Sequence, residues 1–293
     1  RCDDAVDEFG QARRVQGSTG KYPPTFYDPP QCDGDGGFHS HEFPMSDPLP
    51  ISVCMMCLNE ERHMPKVLAR VADFAEWIVL DTGCTDRTAE IALQCGAIVR
   101  SAPWQGFSLT RRGHFAMATQ PWILWIDADE EVTEEMVMEL RGLFASEPEH
   151  AAYRINRIMF FEGEWIRCGD WYPDRVLRLF RADAWELPVR QVHESVEIRG
   201  SIGGLRSELP HYSYRDWADR ERRLLQYAEL WARQEAAKGR RCSPMEGELR
   251  AAWRFIRGYL FKTGFMGGRL GLRIALSCAR EVLAKYRALK TLS

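Results

Sequence analysis

From Ile51 to Ser146 the chain alternates short apolar runs with helical patterns, and this alternation constrains the fold more than any other feature. "ISVCMMCL" (51–58), "EWIVLD" (76–81), "AIVRS" (97–101) and "WILWID" (122–127) read as buried strands. "EERHMPKVLARVADFA" (60–75), "CTDRTAEIALQCG" (84–96), "SLTRRGHFAMATQ" (108–120) and "TEEMVMELRGLFAS" (133–146) carry apolar residues at helical spacing. Thr85 or Asp86 is expected to cap the second of these helices and Thr133 the fourth. Short strands separated by helices imply a parallel sheet covered by helices, with ligands beyond the carboxyl ends of the strands.

After about residue 150 the strand-like runs "AAYRINRIMFF", "EWIRC", "RVLRLFR" and "VHESVEI" follow one another directly, so this half is expected to be mixed or antiparallel. Residues 214–241 read as one long polar helix, and the remainder as helical and basic. With 293 residues, 45% of them hydrophobic, there is enough chain for a sizeable core. Residues 1–49 differ: they are rich in Gly, Pro, Ser and Asp and show no period. They read as an irregular extension in which His39 and His41 have nothing to fix them. Since the chain starts with Arg and Met45 precedes the first strand, residues 1–44 read as an extension, a fragment of something upstream or a misassigned start. The expected division is thus 1–49, an α/β domain at 50–212, and a helical region at 213–293.

Several function classes recede on composition. The net charge of −3 gives no hint of nucleic acid. Nine cysteines at irregular spacing argue against a disulfide framework and for a reducing compartment. Cys54 and Cys57 have metal-like spacing but no second pair, and lie in a strand where residues three apart face opposite sides, so buried thiols are expected. No signal-peptide h-region is visible, and no uncharged apolar run approaches ~20 residues.

The strand ends carry the chemistry. The first runs into Asn59, Glu60 and Glu61, the second ends at Asp81 with Asp86 just beyond, and the fourth runs into "DADEE" (127–131). All three place carboxylates on the edge where such sheets bind ligands. An acidic rim repels a polyanion unless a divalent cation intervenes, and Asp127 and Asp129 offer hard oxygen ligands for Mg²⁺ or Mn²⁺ holding a diphosphate. The competing explanation is that Asp129 to Glu131 merely favour the next helix N-terminus.

"ISVCMMCLNEE", "IVLDTGCTDRTAEIA" and "WILWIDADEEV" resemble the three N-terminal blocks of family 2 inverting glycosyltransferases of the GT-A fold. "PWQGF", "WYPDRVLRLFR", "VHESVEI" and "HYSYRD" extend the resemblance, from Pro50 to the C-terminus, to the bacterial subgroup of lipopolysaccharide core glycosyltransferases that includes the WaaE-like β-glucosyltransferases. Similar blocks occur in glycosyltransferases attached to TPR repeats, and no such repeat is visible here.

The resemblance implies an α/β, Rossmann-like mixed sheet with helices on both faces, a nucleotide-diphosphate sugar donor, UDP-glucose first among them, and a divalent cation. It places Asn59 and Glu60 at the nucleotide edge, Asp81 on the base, Asp127 on the ribose and metal side, and Asp129 on the metal. Arg111 would face the diphosphate; Arg112 stands where the family usually has Asn. His193 would complete the metal shell, while His211 is open between a structural and a functional role. His63, His114 and His150 read as surface or loop residues. Two general bases compete for the acceptor hydroxyl, Asp174 and Glu194; a salt bridge from Asp174 to Arg178 or Arg181 is the plainer alternative.

Between Arg250 and Lys290 there are ten Lys or Arg and one acid, Glu281, interleaved with aromatic and aliphatic residues. That pattern fits an anionic membrane surface, as a lipopolysaccharide core or other glycolipid acceptor at the cytoplasmic face of the inner membrane would require. No RNA-binding motif accompanies it. The rival enzyme class, a nucleotidyltransferase making the sugar nucleotide, carries a Gly-rich loop after the first strand. Here that position reads "MMCLNEERH". A non-catalytic sugar-nucleotide or glycan binder is the remaining alternative.

Overall fold

The structure is a computed structural model and describes residues 47–188 and 196–292. Residues 1–46, which include most of the expected extension with His39 and His41, lie outside the described residues, as do His193 and Glu194.

The four expected strands are β1 (Leu49–Cys57), β2 (Phe74–Asp81), β3 (Ile98–Ser101) and β4 (Trp122–Asp127). β2 and β4 flank β1 in parallel, and β3 extends the sheet beyond β2. Beyond β4 come β5 (Ala152–Phe161), β6 (Glu164–Ile166), β7 (Asp174–Arg181) and β10 (Ile202–His211), while β8 (Trp185–Glu186) and β9 (Glu197–Ile198) form a separate small ribbon. The main sheet runs β10-β5-β7-β4-β1-β2-β3, with β6 hairpinned onto β5. β7 is antiparallel to both neighbours, and β10 is parallel to β5. The second half is therefore mixed, as the sequence indicates. The antiparallel β7 starts at the edge where β1, β2, β4, β5 and β10 end.

Helices cover both faces. Val53, Met55, Val79, Leu124 and Ile126 pack on one side with Met136, Val137 and Leu140 of α4 (Glu134–Leu143). Cys54, Ile78, Ile123 and Phe180 pack on the other with Phe115 of α3 (Phe107–Phe115). Cys54 and Cys57 fall on these opposite faces, both buried and free.

Two local expectations are corrected. The helix predicted over 60–75 is only α1 (Met64–Val67) followed by a 3₁₀ turn, Leu68–Asp73, broken at Arg70 (φ −110°, ψ 19°). The apolar spacing is helical, but Phe74 is already in β2, so too little chain remains for a full helix. His114, expected on a helix surface, is buried, its Nε2 3.1 Å from the Ile78 carbonyl oxygen. Burial pushes its pKa down to about 4, which keeps the ring neutral.

The C-terminal region is helical as expected: α5 (Trp217–Ala237), α6 (Glu246–Ile256), a π-helical turn (Arg257–Phe261) and α7 (Gly268–Leu292), with α2 (Thr88–Gln94) completing the set. Ile274 and Cys278 of α7 pack on Phe161 and Ile166, docking this region against the end of β5.

Candidate active site

The loops after β1 and β2 are stitched together. Asn59, at φ 56°, accepts from the Thr85 amide through Oδ1 (2.8 Å). The left-handed region is one that Asn tolerates. The Glu60 amide donates to Thr88 Oγ1 (2.8 Å), the Glu61 amide to Asp86 Oδ2 (3.2 Å), and the Arg87 amide to Glu61 Oε2 (3.0 Å). Asp86 Oδ1 also accepts from the Thr88 amide (3.0 Å), although the residue at the cap position of α2 is Arg87. Asp81 Oδ1 accepts from the amides of Gly83 (2.9 Å) and Cys84 (2.7 Å). Burial pushes the Asp81 carboxyl up, and these amides outweigh it, leaving it below the ordinary range. Both amides fall on Oδ1.

The acidic run after β4 is compensated from within. Asp127 Oδ1 accepts from Trp125 Nε1 (3.1 Å), and Oδ2 accepts from Arg178 (2.5 Å). Glu130 is fully buried; its Oε1 accepts from Arg178 (2.5 Å) and Arg157 (3.1 Å), and its Oε2 from the Asp127 amide (3.0 Å). Arg111 and Arg178 both lie over the Trp125 ring, 4.0 Å and 4.4 Å from its centroid. Burial alone would raise the Asp127 pKa, but Arg178 and Arg111 hold the carboxyl well below the usual range. Three buried or half-buried guanidinium groups thus neutralise what the sequence presents as a bare acidic cluster. Arg111, read from the resemblance as facing a diphosphate, has its Nη1 3.6 Å from Asp127 Oδ1, while Arg112 is exposed.

Asp129 lies outside that network. β10 is parallel to β5 and ends beside the acidic run, where the Glu131 amide donates to Pro210 O (3.0 Å) and the Tyr212 amide to Asp129 O (2.9 Å). This pairing brings His211 Nε2 to 3.3 Å from Asp129 Oδ2. Burial raises the Asp129 pKa, and the His211 contact brings it below the usual value. Glu60 lies in the field of Asp129; burial first, and that charge second, push it up to about 7. Helix capping does not account for these acids. α4 is capped by Thr133, which accepts from the Met136 amide (3.2 Å), and its first-turn acids are Glu134 and Glu135.

Asp129 Oδ2 and His211 Nε2 pair with each other at this edge; with the imidazole neutral and the pair opened, the carboxylate and the ring nitrogen are groups that could hold a divalent cation. Mg²⁺ commonly takes one or two carboxylates and fills its shell with water and substrate phosphate. Among the described residues, no group of three or more His, Cys, Asp or Glu converges as a metal site.

Asp174 opens β7 at the same edge. Its Oδ2 accepts from Arg157 Nε (2.9 Å) and lies 2.7 Å from Nη2. The salt bridge weighed for Asp174 therefore exists, but with Arg157; Arg178 is spent on Asp127 and Glu130, and Arg181 on Asp183. No local pattern in the sequence marks Arg157. It projects from β5 in a register that sets it opposite Asp174.

The family model "Glycosyl transferase family 2" matches residues 52–202, more than half of the chain, and the chain belongs to that family. Its mixed sheet with helices on both faces is the GT-A arrangement. Among curated relatives, the "TPR repeat-containing protein Synpcc7942_0270" of Synechococcus elongatus is 32% identical over 71% of this chain, which spans only 55% of that protein. The "Lipopolysaccharide core biosynthesis glycosyltransferase LpsC" of Rhizobium meliloti is 28% identical over 66% of this chain and 74% of its own length. A solved glucosyl-3-phosphoglycerate synthase from Mycobacterium tuberculosis, in complex with Mn²⁺ and UDP-glucose, is 26% identical over 39% of this chain and 44% of that one. Its TM-score is 0.31.

Proposed function

We propose that the protein is a metal-dependent, inverting glycosyltransferase. It moves a hexose, with glucose the first candidate, from a nucleoside-diphosphate donor to a lipopolysaccharide core or another lipid-linked glycan, in the manner of the WaaE-like enzymes. The observation that carries this reading is the convergence on one sheet edge of Asp81, Asp127, the Asp129–His211 pair and Asp174. The name of LpsC supports the acceptor class. No helix among the described residues is long and apolar enough to cross a membrane, and we place the enzyme peripherally at the cytoplasmic face of the inner membrane.

In this scheme Asn59 and Glu60 border the nucleotide, and Asp81 accepts from the base. Asp127 faces the ribose side, sharing its oxygens with Trp125 and Arg178. Asp129 and His211 hold the cation, with His193 a further candidate ligand. When bound, the cation supplies charge neutralisation for the departing diphosphate. Arg111 adds positive charge close to the same oxygens. Asp174 or Glu194 takes the proton of the acceptor hydroxyl as that oxygen attacks the anomeric carbon.

The two candidate bases are separable. Asp174→Asn and Glu194→Gln keep shape and remove basicity. The true base is expected to lose about a hundred- to ten-thousandfold in kcat with donor affinity retained, and the bystander much less. Near-normal rates in both variants would refute the scheme.

A further inference from the structure

The outer face of α6, the π-helical turn and the 3₁₀ turn Gly264–Gly267 before α7 display apolar side chains to solvent. Leu249, Trp253, Leu260, Phe261, Phe265 and Met266 are all exposed, Phe261 at 68% and Met266 at 73%. The buried positions of α6 are the small residues Gly247 and Ala251, while Leu249 and Trp253 face outward. A groove of ≈ 430 Å³ between α6 and α7, walled by Ala251, Phe255, Ile256 and Leu276, continues this face. Contiguous exposed apolar surface of this kind marks a docking site.

The same segment supplies the charge. Arg254, Arg257 and Lys262 share one fully buried carboxylate, Asp170, at 2.7, 2.7 and 3.6 Å. Three cations against one acid leave a positive surplus at the base of the apolar ridge. Arg269 is exposed further along, whereas Arg273 is paired with Glu162 (3.5 Å) and lies over Trp217. A second copy of this chain would bring two such basic surfaces together, whereas anionic headgroups complement them.

Asp170 also fixes where the ridge sits. It belongs to the turn Gly169–Trp171, four residues before Asp174, and the Gly169 amide donates to Lys262 O (2.8 Å). Gly258 permits the contact, since a Cβ there would fall 2.8 Å from Asp170 Oδ2. The ridge is thus tied to the segment that delivers the candidate base.

We infer that this face lies in the interfacial layer of an anionic bilayer, with Trp253, Leu260, Phe261, Phe265 and Met266 among the acyl chains and the Asp170-anchored cations at the headgroups. Resting on the acceptor being lipid-linked, this orientation lets a glycan headgroup reach the Asp174 edge while its lipid stays in the leaflet.

The test is sedimentation of the full chain with vesicles of phosphatidylethanolamine containing about 30 mol% phosphatidylglycerol, and with pure phosphatidylcholine. Binding to the anionic vesicles alone is expected. The double variant Phe261→Glu/Met266→Glu is expected to bind at least about tenfold more weakly. Leu93→Glu, at an exposed apolar position on α2, is expected to bind like the wild type. Unchanged binding of the double variant, or no binding by the wild type, would overturn the inference. So would a dimer in vesicle-free buffer that the double variant dissolves, because the face would then be a self-association surface. UDP-glucose titrated into the same samples reports the donor site separately. Vesicle binding without donor binding would count against the proposed function alone.

Discussion

Asp129→Ala is expected to lower metal-dependent transfer by about a hundred- to thousandfold and to remove the Mn²⁺ dependence of donor binding, with little change in stability. Among the described residues, Asp129 is the one acid of the 127–130 run whose carboxylate pairs with no arginine; its side-chain partner is His211 Nε2, at 3.3 Å. Truncation removes the side-chain contact with His211 of β10 but keeps the backbone bond from the Tyr212 amide to Asp129 O, so the local pairing stays in place. His211→Ala is expected to show the same pattern more weakly. Donor binding with undiminished Mn²⁺ dependence in Asp129→Ala would remove the pair from the cation site.

The largest stability effect is expected at Arg178. Its Nη2 serves two carboxylates, Asp127 Oδ2 and the fully buried Glu130 Oε1. Arg178→Met keeps apolar bulk over Trp125 but leaves Glu130 dependent on Arg157 and strips Asp127 of its nearest cation. Breaking a buried ion pair from one side costs about 3–5 kcal/mol, because the remaining charge stays buried and poorly compensated. Arg178→Lys is expected to cost less, since it restores the charge without the planar fork. Urea denaturation of both variants would measure this. A loss below about 1 kcal/mol for Arg178→Met would mean that Arg111 and Arg157 suffice, and that the network is less coupled than its geometry indicates.

These two residues also mark the boundary of what the sequence disclosed. The first four strands, the mixed second half and the acidic edge were legible, because apolar period and strand-end carboxylates are local signals. Thr133 was legible as a cap for the same reason. The arginine network was not. Arg157 and Arg178 meet Asp127 and Glu130 across 27 to 51 positions of chain, through strand pairings that no local pattern encodes.

β10 carries a weak strand signal, because Gly203, Gly204 and Pro210 are residues that strand interiors disfavour. Yet Gly203 sits where a Cβ would fall 2.4 Å from His150 Cδ2, and Pro210 lies on the sheet's edge strand, where its missing N–H is tolerated. Without β10 in view, His211 could not be assigned to Asp129. The anchoring role of Asp170 was hidden in the same way, since its partners lie more than eighty residues downstream.

The most direct test of the central claim is calorimetric titration of UDP-glucose, with a small panel of other sugar nucleotides, into the full chain with Mn²⁺ and then with EDTA. The account predicts saturable binding of at least one sugar nucleotide with Mn²⁺, weakened by about tenfold or more when the metal is removed. Binding of equal strength in EDTA, or binding of no sugar nucleotide under either condition, would contradict it.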